Sequence, residues 1–441
     1  MSAKISELPP VSISTAPTDS PVRIFQLDLN NITVELSSLG ASITKILLPN
    51  YNEDDIRGNC DRDDVVLAYA SPKEQFEDKN SVFFGAIVGR VANRIQGGTF
   101  QLHQIEQTSD GPMERLETYQ LEKNNCPNHL HGGFDGFSNR NWTAVVVDDT
   151  VQFTLISPHG DQGYPGGVEV KAAYSLRERQ HGHGSRGAQL HLSMCADLLP
   201  GETRATPISL AQHSYFNLAS HSSPERILNH VLEMPNCHTF TPVDQTSIPT
   251  REVLPVGNET YDVVSAMDFR EGKTMADALV KYGEEIGLDP LTAKCNVNRI
   301  LNDATQRFEP GNVAIYGFDH NYVINQEKLS IESGLHVAAI LHHNPTGRSL
   351  CVSTTAPGVQ LYSSNYLNGM DPSLCKDCCS YSRWQGLCLE TQTYPDSITL
   401  ERRSCGGGEE FDNGKCFILR PGGETYSHKV MFEFSAMDKH L

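Results

Sequence analysis

Leu190-His-Leu-Ser-Met-Cys-Ala-Asp-Leu198 alternates apolar and polar residues from end to end. Side chains two apart on a strand point the same way, so Leu190, Leu192, Met194, Ala196 and Leu198 form one face. His191, Ser193, Cys195 and Asp197 form the other. The reading matters because Gly182, Gly184 and Gly187, just upstream, spell GxGxxG. A dinucleotide site needs a helix after those glycines, since the helix N-terminus holds the pyrophosphate. A strand follows instead, and the glycines read as a hairpin tip.

The same period recurs outward from this stretch. Val168, Val170, Ala172, Tyr174 and Leu176 share a face, as do Val151, Phe153 and Leu155, and Ile32, Val34 and Leu36. One-faced strands between Gly/Pro turns imply antiparallel sheets packed on each other. The strand–helix alternation of a Rossmann fold or a TIM barrel is missing. The fold class is therefore all-β.

From Thr274 to Ile286 the period changes. Met275, Leu279, Tyr282 and Ile286 recur at steps of four, three and four, which is a helical stripe. A second short helix is expected over about 293–308. Residues 271–312 read as an insertion at the periphery of a β scaffold. Residues 1–22, with four prolines, five serines and no apolar core segment, read as a disordered leader. The remainder, 23–441, reads as a single domain.

The 441 residues suffice to bury a large core without disulfides. A net charge of −19 argues against a general nucleic-acid binder or an anionic-membrane binder. No run of eighteen apolar residues is present, so no membrane-spanning helix is expected. Twelve cysteines without a signal peptide read as thiols of a cytoplasmic protein. Cys375, Cys378 and Cys379 resemble half a zinc site whose second half is missing. A monomer or weak homodimer is expected.

Walker A, HExxH and GxSxG patterns are absent. His129 and His131 stand two apart, on one side if the backbone is extended. Such a pair fits a metal or a polar sugar pocket, and Gly132 and Gly133 allow close backbone approach. His213 follows an apolar run, and a histidine entering such a sheet face is more often a satisfied structural residue than a catalyst. Glu390 shares a strand face with Cys388 in apolar surroundings. Burial there raises a carboxylate's pKa and makes it a usable base, whereas pairing with an arginine makes it structural.

In combination these stretches resemble the aldose 1-epimerase family, of galactose mutarotase type. The matching segments are Gly89-Arg-Val-Ala-Asn-Arg-Ile95, His131-Gly-Gly133, His213-Ser-Tyr-Phe-Asn-Leu218, Phe318-Asp-His-Asn321, Pro357-Gly-Val-Gln360 and Leu389-Glu-Thr-Gln392. They occur in family order between about Ile32 and Phe434. The resemblance implies a large antiparallel β-sandwich with a sugar cleft across one sheet face. It implies Glu390 as general base and His213 as general acid, with Asn93, Arg94, His131, Tyr215, Asp319 and Gln360 binding hydroxyls. The implied reaction is interconversion of the α and β anomers of galactose or glucose by ring opening and reclosure. It needs no metal, nucleotide or other cofactor, and its partner is a small aldose.

Two other readings stay open. One is a non-catalytic sugar-binding or sensor protein on the same fold. The other is a glycoside hydrolase, for which only Asp319 could serve as the second carboxylate beside Glu390. For the epimerase, activity is expected to fall at low pH as Glu390 protonates, and at high pH as His213 loses its proton.

Overall fold

The computed structural model describes residues 1–13, 20–51, 62–78, 80–109, 111–179, 187–257, 265–288, 316–327, 334–400, 414 and 416–436. Strands dominate, and the strand pairs are antiparallel. The largest sheet has nine strands, ordered Thr143–Val147, Thr150–Ser157, Val168–Glu178, Gly187–Leu198, Tyr426–Ala436, Arg348–Thr354, His336–His343, His230–Glu233 and Lys273–Thr274. The quoted stretch lies at its centre, registered from Val168 opposite Leu198 to Glu178 opposite Ala188. Leu190, Leu192, Met194 and Ala196 are buried, as the alternation requires. The expected hairpin joins these strands, and its tip at 180–186 lies outside the described residues. So does the glycine tract at 406–408.

A six-stranded sheet runs Tyr215–Phe216, Leu387–Gln392, Gly358–Tyr362, Asp319–Ile324, Cys237–Thr241, Leu254–Pro255. A five-stranded sheet runs Lys4–Val11, Val22–Leu29, Ile32–Ser37, Ser42–Pro49, Arg62–Asp64. One apolar core draws on all three sheets. Phe25 of the five-stranded sheet meets Phe153 of the nine-stranded one at 5.9 Å between ring centroids. Phe216 of the six-stranded sheet meets Phe432 of the nine-stranded one at 5.6 Å. The molecule is a large antiparallel β-sandwich.

The disordered leader expected over 1–22 is corrected for its first half: Lys4–Val11 is a strand paired with Val22–Leu29, while 14–19 lie outside the described residues. It forms the edge of its sheet, and its register shifts between Leu8 and Val11, where Pro9 and Pro10 stand. Prolines are tolerated at edges and bulges because no ladder bond is lost there. An edge strand also needs few apolar residues, so composition alone misread it.

The helical stripe is present as the helix Met275–Glu285, with the Thr274 side chain accepting from the Asp277 amide as N-cap. It is less peripheral than expected. Met275, Ala278 and Leu279 are part of the main core, and Tyr282 meets Phe318 at 5.1 Å. Its outer face, at Asp277 and Lys281, and the C-cap Ile286 are exposed. The second helix expected near 293–308 lies outside the described residues.

Candidate active site

Directly paired residues on an antiparallel sheet share a face. In the six-stranded sheet Asn321 pairs with Gln360, and Gln360 with Glu390. Two residues along, Asp319 pairs with Tyr362, Tyr362 with Cys388, and Cys388 with Tyr215. These rows make one polar face, while Val359, Leu361, Leu387 and Leu389 go into the core behind it. The strand spacing thus gathers residues from four distant segments.

A cavity of about 370 Å³ opens on this face, and Asn93, Arg94, His131, His213, Tyr215, Asp319 and Glu390 line it. Gln360 does not reach the cavity. Its Nε2 donates to Asp319 Oδ1 at 2.7 Å, and Arg94 Nη1 reaches Asp319 Oδ2 at 3.4 Å. Asp319 is therefore held between an amide and a guanidinium, which suits an acceptor for hydroxyls and not a second acid. Arg94 Nε also donates to Asn125 Oδ1 at 3.2 Å.

Tyr215 commits its hydroxyl proton to the Val82 carbonyl at 2.9 Å. It contributes a ring instead, stacked on His213 with centroids 5.1 Å apart. Asn93 turns its Oδ1 to the Arg94 backbone amide, 2.9 Å away. Its backbone has φ 62°, a left-handed conformation that Asn adopts more readily than most residues.

The two histidines of the HxH part company. His131 has φ 50°, so the backbone is not extended there. His129 is enclosed, with Nδ1 2.6 Å from the Glu122 carbonyl and Nε2 2.9 Å from the Tyr164 hydroxyl. His131 faces the cavity. Gly132 serves a close backbone approach, but to protein: a Cβ there would lie 1.9 Å from the Gly89 carbonyl oxygen.

His131, His213 and Glu390 each offer an atom within 4.8 Å of the others, close enough to raise the question of a metal. The tautomer answers it. The Asn93 backbone N–H donates to His131 Nδ1 at 3.1 Å, which leaves the ring proton on Nε2, toward the cavity. A metal-bound histidine has the reverse arrangement, donating its outer N–H to an acceptor. His131 is a hydrogen-bond donor to whatever fills the cavity. The Cys375 thiol sits apart, buried in an apolar cluster that pushes its pKa up to about 11.

His213 Nε2 lies 3.5 Å from Glu390 Oε1, and both side chains are buried. Burial pushes the His213 pKa down to about 4, against a hydrogen bond with its own backbone and the charge of Asp319. Burial and Asp319 push Glu390 well above the usual carboxylate range, only partly offset by Arg94. Burial thus disfavours the charged form of both groups and favours a pair without formal charges. Burial works against the imidazolium expected from the sequence. Such a pair can take a proton from one oxygen and give one to another bonded to the same carbon.

Sequence reasoning missed Tyr362, Tyr366, Asn125 and Phe83, which also line the cavity. Tyr362 was within reach, since it follows Gln360 by two on the same strand face. Phe83 packs edge-on against His131 at 4.7 Å and beside His213 at 5.7 Å, and no motif marks it.

The family model for aldose 1-epimerase matches residues 23–430. Galactose mutarotase of Homo sapiens is 33% identical over 414 residues, covering 94% of each chain. Aldose 1-epimerase of Escherichia coli K12 is 30% identical over 423 residues, covering 96% of this chain and 97% of the relative. A GalM/aldose epimerase homologue from C. elegans superposes with a TM-score of 0.66 at 23% identity, covering 99% of this chain and all of the other. With sheet, cleft and sequence in agreement, the chain belongs to the aldose 1-epimerase family.

Proposed function

We propose that this protein interconverts the α and β anomers of aldohexoses such as D-galactose and D-glucose. The observation that carries the reading is the buried Glu390–His213 pair, 3.5 Å apart on the wall of a polar cavity. Mutarotation removes the proton from the anomeric hydroxyl and delivers one to the ring oxygen. The C1–ring-oxygen bond breaks, C1 becomes an aldehyde, and rotation about C1–C2 exposes its other face. Closure returns both protons and gives the other anomer.

Once the Glu390 proton has passed across to His213, Glu390 acts as base and His213 as acid in opening, and they exchange roles in closing. The pair passes through both one-proton arrangements in each turnover, so neither is a dead end. Each group contributes ~10²–10⁴-fold. Arg94, Asp319 and the Nε2–H of His131 hold hydroxyls, with Gln360 orienting Asp319. Their effect is to restrict the sugar to poses in which the pair reaches both oxygens. The nine described cysteines are free thiols, which supports a cytoplasmic protein. No described helix is long and apolar enough to cross a membrane. A monomer or weak homodimer completes the proposal.

Polarimetry of freshly dissolved α anomers of several aldoses tests the reading. The expected result is acceleration over the spontaneous rate, highest for one or two hexoses and unchanged by EDTA. Tight sugar binding without acceleration would favour the sensor reading.

A further inference from the structure

We propose that Cys388 is a positioning residue for His213: its thiol partners Nδ1, so that the ring exchanges its catalytic proton at Nε2, the nitrogen facing Glu390. The inference rests on the reading of His213 as a proton carrier. Cys388 Sγ lies 3.7 Å from His213 Nδ1, while Nε2 lies 3.5 Å from Glu390 Oε1. Cys388 is fully buried behind the imidazole, whereas the Nε2 side of the ring faces the cavity.

The sheet makes this arrangement. Cys388 is the register partner of Tyr215, and the Tyr215 ring stacks on His213 with planes 21° apart. One cross-strand pair therefore sets both the plane of the imidazole and the partner of its inner nitrogen. Glu390 stands two residues from Cys388 on the same face, which places it at the outer nitrogen. The other groups around the ring are His131, 5.2 Å away by centroids, Phe83, and the charge of Asp319.

A thiol has a particular value here. Sulfur is a weak donor and a weak acceptor, so it follows Nδ1 without seizing its proton. A carboxylate at that position would stabilise the imidazolium, as the aspartate of a Ser-His-Asp triad does, and weaken His213 as an acid. Burial keeps the Cys388 thiol protonated and neutral. The ring is oriented but remains a ready proton donor.

Cys388→Ala and Cys388→Ser, measured by polarimetry beside wild type and His213→Asn, test this. Cys388→Ala should lower kcat about 3- to 10-fold with KM within about two-fold, because the pose of the sugar is untouched. Without the sulfur acceptor the imidazolium is less stable, so the acidic limb of the pH profile should move to lower pH. Cys388→Ser, which can also donate and accept, should recover kcat to within about two-fold. A wild-type kcat and pH profile in Cys388→Ala would overturn the proposal. So would equal losses in Ala and Ser accompanied by a fall in Tm, which would mark a packing role alone. Wild-type kcat in His213→Asn would instead overturn the reading of His213 itself.

Discussion

Glu390 is placed where a carboxylate is costly: buried, with no hydrogen-bond partner for Oε2 among the described residues and with Asp319 adding like charge. Its folded pKa is raised, so the protonated form is the better fit to the fold. Stability contributed by this group is present below the unfolded carboxylate pKa and is lost as pH rises through the folded one. Glu390→Gln should therefore leave Tm at pH 8 unchanged or higher while lowering kcat by ~10²-fold or more. A fall of several degrees in a thermal melt would contradict this. The pair also fixes the pH profile. Its second proton, gained in acid, goes to His213, whose pKa is pushed down to about 4. Its last proton leaves Glu390 in alkali. His213→Asn should erase the acidic limb of kcat/KM and Glu390→Gln the alkaline limb, the reverse of what unburied groups would give. Arg94 substitutions should raise KM and lower kcat together, since they loosen both Asp319 and the sugar. Much of this site was legible from residue types and period-two spacing. What sequence could not supply was the roles that depend on hydrogen-bond partners: Tyr215 spending its proton on Val82, and Gln360 acting through Asp319.

At the scale of elements, strands whose buried and wet faces differ were read well, since alternation survives in the sequence. Elements at the edge were read poorly. Lys4–Val11 hides two prolines in a register shift at a sheet margin, and nothing in its composition separates it from a disordered leader. The helix Met275–Glu285 was placed correctly, but its stripe does not say which surface receives it. The receiving surface is the main core beside Phe318, the residue preceding Asp319. Leu279→Ala should therefore cost about 2–5 kcal/mol in chemical denaturation, the range for a buried leucine. A cost below about 0.5 kcal/mol would mean that the helix is an appendage, as the sequence had suggested.

Across the whole molecule, three sheets with a shared core hold a polar face rigid, and the chemistry comes from what their pleats bring together. Residues 93, 131, 213, 319 and 390 are scattered along the chain, yet strand register and three connecting segments converge them on one cavity. The Nε2–H tautomer of His131 makes that cavity a hydroxyl site, so EDTA dialysis should leave turnover unchanged. The central claim is that a buried carboxylate and imidazole, sharing one proton, open and close the sugar ring. Polarimetry of α-D-galactose and α-D-glucose with wild type and Glu390→Gln at equal folded concentration tests it most directly. The account predicts rapid approach to anomeric equilibrium with wild type and a kcat at least ~10²-fold lower with the variant. Near-wild-type turnover by Glu390→Gln would contradict it.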